Sequence, residues 1–153
     1  LVFDEWEPAI DWLAIRSGLP KEQTLKLERP GAKEFRNLVL NEYGNKCAVT
    51  GFSSSEAIEA AHIVPYYGLE SDDIQNGIPL RADLHKLFDI GLLKIEYVNG
   101  LKLFQIQIHE FIKPDYSGIH LASLNLPEDV TSHPSKKALE IKNELHKSKW
   151  ITI

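Results

Sequence analysis

The chain carries EAAHIVPYYGLESDDIQNGIPLRADLHKLFDIG at residues 59–91, and this stretch decides how the rest of the sequence is interpreted. Four of its side chains stand among mostly apolar neighbours: His62, Asn76, His85 and Asp89. A structural role seldom requires two imidazoles, an amide and a carboxylate together. A hydrolytic site built around one metal ion uses all of them. The stretch is therefore the candidate functional segment of the chain.

A short strand, a loop and a helix are predicted in this region. Ile58 to Val64 alternates at period two, which places His62 on one face of a strand that Pro65 ends. Residues 66–75 contain a glycine and an acidic pair and are predicted to form a loop. From about Ala82 to Ile90 the pattern is helical, and a glycine closes the helix. The loop can fold the strand against the helix.

Two polar side chains are four residues apart on the predicted helix, so His85 and Asp89 leave the same face. Leu84, Leu87 and Phe88 lie on the side that faces the core. An imidazole and a carboxylate directed to one place suit a divalent ion with room left for water and substrate oxygens. A hard ion such as Mg²⁺ needs few protein ligands when phosphate completes its shell. The pair is therefore a candidate metal site.

The other two residues fit a base and its support. The imidazole of His62, with an ordinary pKa of about 6.5, is suited to deprotonating water at neutral pH. Asn76 ends the loop. From there its side-chain amide can hydrogen-bond to the other end of the loop and orient the strand or His62. Each residue alone also has a structural explanation: a core histidine at His62, a surface ion pair of His85 with Asp89, and a turn at Asn76-Gly77. Together the four favour one site, because independent accidents rarely share one geometry.

Several segments resemble the HNH nucleases, the ββα-metal or His-Me finger family: CAVTG at 47–51, AAHIVP at 60–65, NGIPL at 76–80 and LHKLFDIG at 84–91. The resemblance is closest to a subgroup found in bacterial restriction and defence proteins. It implies an α+β fold with a ββα-metal core at about 46–91, flanking helices and an added C-terminal β-hairpin. It begins at about Arg29 and implies a nuclease domain over residues 29–153, while apolar residues at helical spacing predict an N-terminal helical extension over residues 1–28.

The resemblance implies a metal-dependent endonuclease that hydrolyses DNA phosphodiester bonds, in bacterial restriction or anti-phage defence. In that pattern His62 and Asn76 are the catalytic residues, while His85 and Asp89 bind one divalent ion. Mg²⁺ or Mn²⁺ is expected, with Zn²⁺ or Ni²⁺ as alternatives. Many family members carry a further metal ligand just before the base, where this chain has Ala61. Metal binding is therefore expected to be weak in the absence of DNA.

Charge restricts how DNA could be bound. The net charge is −5, and no segment forms a basic arm. Arg81 and Lys86 flank the predicted helix and are candidate contacts to the DNA backbone, although solvated helix charges explain them equally well. DNA contact is therefore expected to be local, assisted by a metal, or supplied by another domain or subunit.

Length and composition describe one ordinary globular domain. The 153 residues are 43% hydrophobic and 25% charged, and no apolar run approaches the roughly 20 residues that span a bilayer, so no membrane partner is expected.

The single cysteine, Cys47, excludes an internal disulfide and is expected to be a small buried hydrophobe in a cytoplasmic protein. The absence of methionine predicts a processed, trimmed or excised piece, and the nuclease part of a larger recognition or sensor protein is one option. A homodimer is also expected, because double-strand cleavage by a single site calls for two subunits or two successive nicks.

Local patterns predict further elements outside the central stretch. Asn99-Gly100 separates two β-rich runs, which is the strongest short-range signal for a hairpin. The predicted elements are a helix from the N-terminus to about residue 17, a helix over 32–43, a short strand running into a turn over 46–51, hairpin strands over 93–98 and 101–106, a strand-like segment at 119–121, and a helix over 135–149 with the stem of Lys142 on its apolar side.

Two other functions stay open at this point. A non-catalytic DNA-binding or assembly module on a decayed nuclease fold would explain Ala61 and the acidic balance. A protein-interaction domain would use His85 and Asp89 to hold a structural metal, and stripping that metal would lower the melting temperature markedly. A lightly held catalytic ion would have little effect on melting in the absence of DNA.

Overall fold

The computed structural model describes residues 5–9 and 29–150, and in this part of the chain the fold is α+β, as predicted. The main elements are α1 (Ala32–Glu42), β1 (Ile58–His62), β2 (Gly77–Arg81), α2 (Ala82–Asp89), β3 (Leu93–Val98), β4 (Leu103–Ile108), α3 (Lys113–Tyr116) and α4 (Lys136–Leu145). Short 3₁₀ helices lie at Ser55–Ala57, Leu69–Ser71, Ile74–Asn76, Glu110–Ile112, Ser117–Ile119, Val130–Ser132 and Lys147–Trp150. The predicted N-terminal helix, and with it most of the extension over residues 1–28, lies outside the described residues. None of the helices just given is long and apolar enough to cross a membrane.

β1 and β2 form a two-stranded antiparallel sheet, and α2 follows β2 without a loop. The register pairs His62 with Gly77. Leu84 and Phe88 of α2 are fully buried, which confirms the face predicted from their spacing. The helix therefore packs back on the sheet through its apolar side and leaves its polar side, with His85 and Asp89, towards solvent.

A close contact between α1 and the sheet depends on a glycine. A β-carbon built on Gly77 would lie 2.5 Å from Cγ2 of Val39 and 2.8 Å from Cζ of Phe35. Both α1 residues are buried, so neither has open space to move into. The missing side chain at Gly77 lets α1 approach β2, and this approach brings the ring of Phe35 to His62.

Replacing Gly77 by alanine should lower the free energy of unfolding by about 1–3 kcal/mol, because the added methyl group overpacks this contact. The measurement is the urea midpoint followed by circular dichroism. Gly100→Ala is the matched control, since a β-carbon there meets nothing within 4 Å, and its effect should stay within about 0.5 kcal/mol. Equal stabilities of the two variants would contradict the packing described here.

The strands on either side of Asn99-Gly100 are present and pair antiparallel, from Leu93 with Ile108 to Val98 with Leu103. The second strand begins at 103 rather than 101, because the turn has four residues instead of two. A two-residue type I′ turn needs positive φ at both central residues. Here Lys102, with φ of 55°, takes the left-handed conformation instead, and the amides of residues 101 and 102 both donate to the carbonyl of Val98.

The turn predicted within residues 46–51 is present, but the short strand predicted to lead into it is wrong, because no residue of this segment lies in a strand. The amide of Cys47 donates to the carbonyl of Phe52, and Gly51 donates back to the carbonyl of Cys47 with φ of 76°. The strand that pairs with β1 is β2, which the sequence pattern left unassigned because Pro79 lacks the amide hydrogen typical of strands. The carbonyl of Pro79 accepts from the amide of Ala48, so the turn still lies against the edge of the sheet.

Cys47 is fully buried, as expected for a small hydrophobe. Its Sγ accepts a hydrogen bond from the amide of Arg81 at 3.4 Å, at the junction of β2 and α2. The turn at 47–51 therefore touches the point where the sheet passes into the helix.

Two further predictions needed correction near the C-terminus. The strand-like segment at 119–121 is a turn, because Ser117–Ile119 is a 3₁₀ helix and Leu121 has a φ of 67°, which no strand residue adopts. The C-terminal helix is shorter than predicted, since α4 ends at Leu145 and a separate 3₁₀ helix follows. The α4 helix starts at a capping residue, Ser135, whose Oγ accepts from the amide of Ala138 at 3.0 Å.

Candidate active site

His62 lies at the end of β1 in a narrow aromatic slot. Its ring stacks on Phe35 with a centroid distance of 4.1 Å and an interplanar angle of 7°. Tyr66 packs edge-on at 5.8 Å, and Arg29 covers the Tyr66 ring at 4.4 Å. The side chain of His62 is only 10% exposed. The imidazole is therefore held in one plane, with a small part of it open to solvent.

A carboxylate from the loop between β1 and β2 orients this imidazole. Nε2 of His62 and Oδ1 of Asp72 are 2.7 Å apart, and the Asp72 side chain is 11% exposed. The other carboxylate oxygen, Oδ2, is buried and has no hydrogen-bond partner within residues 5–9 and 29–150. An acceptor at Nε2 favours the tautomer that carries its proton there, which leaves the Nδ1 lone pair for another proton.

The pKa of His62 lies below its ordinary value of 6.5. Burial lowers this pKa most, the hydrogen bond to Asp72 raises it, and the charge of Arg29 lowers it again. A smaller contribution from His85 shows that the two imidazoles influence each other electrostatically. His62 is therefore neutral at pH 7, which is the form that can accept a proton.

Asn76 closes the loop that carries Asp72. Its side chain is fully buried and makes three hydrogen bonds: Oδ1 accepts from the amide of Val64 at 2.9 Å, and Nδ2 donates to the carbonyls of Val64 at 3.1 Å and Ser71 at 2.9 Å. The backbone carbonyl of Asn76 also accepts from the amide of Ile63 at 2.9 Å. The buried side chain of Asn76 therefore joins the segments on either side of the loop, and its catalytic role stays a prediction.

His85 stands between two carboxylates. Its Nδ1 lies 2.7 Å from Oε1 of Glu59 on β1, and its Nε2 lies 3.2 Å from Oδ2 of Asp89 one helical turn away. Burial lowers the pKa of His85, but the hydrogen bonds and charges of the two carboxylates outweigh burial and raise it overall. For Asp89, burial raises the pKa, while the pair with His85 and the charges of Lys142 and His62 bring it below its ordinary value.

This arrangement fits a small divalent cation held by two side chains. Adjacent ligands about 2.1 Å from an octahedral ion lie roughly 3 Å apart, and Nε2 of His85 and Oδ2 of Asp89 are separated by 3.2 Å. Glu59 occupies the outer nitrogen of the imidazole, as carboxylates do behind metal-bound histidines. Ala61 is fully buried and offers no ligand. Across residues 5–9 and 29–150, no group of three or more His, Cys, Asp or Glu could hold a metal ion, so waters and substrate would complete the shell.

A lysine from the C-terminal helix α4 lies beside this pair. Nζ of Lys142 is 4.0 Å from Oδ1 of Asp89 and 4.4 Å from the centroid of the Phe88 ring, although the residue is only 5% exposed. Burial lowers the pKa of Lys142 to about 8, against the charge of Asp89, which raises it. Lys142 is therefore still mainly protonated at pH 7. Its positive charge is buried against the same carboxylate that is predicted to bind metal.

The two predicted DNA contacts differ in their surroundings. Arg81 makes a two-point pair with Asp83, with Nε to Oδ1 at 2.7 Å and Nη2 to Oδ2 at 3.0 Å, and Tyr116 donates to the same carboxylate at 2.8 Å. This pair lowers the pKa of Asp83 to about 2 and commits two of the five guanidinium N–H donors to Asp83. Lys86 is exposed and forms no ion pair with any residue in the described ranges. Lys86 is therefore the better placed of the two for a phosphate contact, and both assignments stay predictions.

Sequence reasoning missed three residues of this site: Glu59, Asp72 and Lys142. Glu59 opens the central stretch, and Asp72 belongs to the acidic pair of the loop. The periodicity and spacing of the sequence did not predict which side chain either carboxylate would contact. Lys142 stood on the apolar face of a predicted helix, which was the available signal, because a buried lysine requires a nearby anion. All three contacts join segments at least ten residues apart in the chain.

Comparison with known proteins identifies the segment that carries the site. No curated protein matches the chain. A family model described as HNH endonuclease matches residues 47–96, which include Glu59, His62, Asp72, His85 and Asp89. Lys142 lies outside the matched segment. The match suggests nuclease activity, and it supports the assignment of residues 47–96 to the HNH endonuclease family.

Proposed function

We propose that the protein is a metal-dependent endonuclease that hydrolyses DNA phosphodiester bonds. The observation that carries this proposal is the pairing of two units within the matched segment: a neutral imidazole oriented by a carboxylate, His62 with Asp72, and a histidine–carboxylate pair on α2, His85 with Asp89. A base and a two-ligand metal site are what metal-assisted hydrolysis of a phosphodiester requires. Restriction or anti-phage defence, the cytoplasm, and a homodimer or larger parent protein belong to the same proposal.

The role of His62 follows from its tautomer. Asp72 accepts the hydrogen bond from Nε2–H, so the Nδ1 lone pair takes a proton from the attacking water. The carboxylate then stabilises the imidazolium that forms, while the slot made by Phe35 and Tyr66 keeps the ring in plane. Nε2 and Nδ1 thus have separate functions, and the proton leaves by exchange with solvent at the exposed edge.

His85 and Asp89 would hold the metal ion, and Glu59 keeps the proton of His85 on Nδ1 so that Nε2 faces the ion. A divalent ion bound there supplies charge for the phosphoryl oxygens and the leaving oxygen. Lys86 follows His85 on the exposed side of α2 and is proposed to contact the DNA backbone. The acidic net charge makes such local contacts necessary.

The direct test is incubation of the full chain with supercoiled plasmid in Mg²⁺ or Mn²⁺, followed by gel electrophoresis, with a parallel reaction in EDTA. Nicked or linear product that requires the metal is the expected result. Cleavage that persists in EDTA would contradict the metal assignment.

A second candidate function is a non-catalytic DNA-binding or assembly module. It is favoured by one observation: position 61, next to the base, is a fully buried alanine that leaves only two protein ligands for a metal. This candidate predicts no plasmid cleavage with either ion, together with DNA binding that a mobility-shift assay detects.

Replacing Asp72 by asparagine should move the acid limb of the cleavage pH profile to lower pH. His62 acts as a neutral base, so activity falls as pH drops through its pKa, and the hydrogen bond that His62 donates to Asp72 raises that pKa. Without the carboxylate the pKa falls further. The maximal rate should also drop by about 10²-fold, because proton transfer by a positioned base contributes roughly 10²–10⁴-fold. Initial rates of plasmid nicking between pH 5 and about 9 measure both effects.

The matched control is Asp73→Asn in the same loop. Oδ1 of Asp73 accepts from the amide of Gln75, which an asparagine oxygen can also do, while the carboxylate that His62 bonds is that of Asp72. The control should keep the wild-type profile. An acid limb of Asp72→Asn that stays in place or moves to higher pH would contradict the assigned role.

A further inference from the structure

Lys142 is a buried cation whose position the proposed reaction leaves unexplained. It comes from α4, far along the chain from the matched segment, and places Nζ 4.0 Å from Oδ1 of Asp89. The stem lies over Phe88 and the residue is 5% exposed. Packing alone would be served better by an apolar side chain, since burying a charge is costly unless it is paired. The pairing with a predicted metal ligand is therefore the feature to explain.

The charges around Asp89 nearly balance without a metal. His85 approaches one oxygen of the carboxylate and Lys142 the other. Another nearby histidine, His146, directly follows α4 and is neutral at pH 7 because burial lowers its pKa to about 4. Lys142 is thus the cation paired with Asp89. Its positive charge already offsets the negative charge of the Asp89 carboxylate, which would otherwise attract a divalent ion.

We propose that Lys142 is a positioning residue that makes metal binding depend on DNA. This inference rests on the proposed metal site at His85 and Asp89. In the free protein the ammonium group repels a cation at that site and lowers its affinity. When a DNA phosphate enters, its negative charge lies beside both cations, so the ammonium and the metal no longer compete for one carboxylate. Metal and DNA then bind with positive coupling.

The size of the effect follows from Coulomb's law. Even in a water-like dielectric, which gives the smallest effect for this buried charge, a unit charge and a divalent ion roughly 6 Å apart repel each other enough to change affinity about tenfold. Replacing Lys142 by methionine removes the charge and keeps an unbranched stem against Phe88. Mn²⁺ alone should therefore bind the free Lys142→Met protein about ten times more tightly than the wild type, as measured by electron paramagnetic resonance of the unbound ion. A lysine with only a structural role predicts no tightening.

Coupling is measured by repeating the titration with a DNA duplex in the His62→Ala background, where the duplex should stay intact. The duplex should increase the Mn²⁺ affinity of the protein that retains Lys142. The Lys142→Met substitution should reduce that increase in affinity about tenfold. Lys137→Met is the matched control, because Lys137 lies on the same helix but is exposed and pairs only with Glu140 at 3.8 Å. It should leave both affinities unchanged.

The outcomes separate the inference from the function on which it rests. Unchanged Mn²⁺ affinity in Lys142→Met, or equal tightening by duplex in both proteins, overturns the inference whether or not plasmid is cleaved. Asp89→Asn should weaken Mn²⁺ binding in the Lys142→Met protein; if it does not, the metal site itself is wrong. Lys142→Gln is the second neutral variant, used if methionine lowers the melting temperature, and the same tightening is required of it.

Discussion

Replacing His62 by alanine should lower the rate of plasmid cleavage roughly 10³-fold, within the 10²–10⁴ range typical of a positioned general base. The imidazole is the neutral base that the geometry presents to water, because Asp72 occupies its Nε2. Single-turnover nicking at saturating Mg²⁺ is the measurement, since it reports the chemical step rather than DNA binding. Affinity for DNA should change little, because His62 is only 10% exposed.

Chemical rescue of the His62→Ala variant with added imidazole distinguishes loss of the general base from loss of packing around the site. The alanine variant leaves an empty slot between Phe35 and Tyr66 of the size of an imidazole ring. Added imidazole should therefore restore part of the activity of His62→Ala, and it should not affect the Asp72→Asn protein. Full activity of His62→Ala would remove His62 from the mechanism and with it the assignment of the whole site.

Asn76→Ala should lower the free energy of unfolding by about 3 kcal/mol or more. The substitution leaves the amide and the carbonyl of Val64 and the carbonyl of Ser71 without their partners in the interior, and each unsatisfied buried group costs about 1–3 kcal/mol. Urea unfolding at pH 7 provides the measurement. Because Asn76 joins the two ends of the loop that carries Asp72, cleavage should fall as well, even at temperatures where the variant is folded.

Asn143→Ala is the control for this substitution. Asn143 makes one comparable bond, from Nδ2 to the carbonyl of Ile95 at 2.9 Å, in a half-buried place. Its loss should cost about 1 kcal/mol. If the two variants unfold at the same urea concentration, the three-bond network does not hold the loop.

Local sequence patterns were enough to predict the relative positions of candidate site residues that lie on one helix. His85 and Asp89 were found because a helix repeats every 3.6 residues, and their spacing of four residues fixes one face whatever surrounds the helix. The burial of Leu84 and Phe88 follows from the same periodicity, whereas the α+β fold was implied by the resemblance. Resemblance added the pairing of His62 with that helix, which periodicity does not specify.

The contacts that sequence did not predict join distant segments. Asp72 reaches His62 across a loop of 3₁₀ turns, and Lys142 reaches Asp89 from α4, so their positions depend on how the whole chain packs. The strand error at 46–51 has a related cause. Its apolar, β-branched residues suit a strand, but they are buried in a turn against β2, where tertiary packing overrides propensity.

The single thiol of the chain lies at the junction between β2 and α2 that supports these residues. Cys47 is completely enclosed, and its sulfur accepts from the backbone of Arg81. An alkylating reagent can therefore reach it only when the turn at 47–51 separates from the sheet. With one cysteine among 153 residues, the rate of its modification counts those openings with no engineered label. The protein thus carries a built-in reporter of how often the scaffold beneath the candidate active site comes apart, and of how far DNA or metal suppresses that motion.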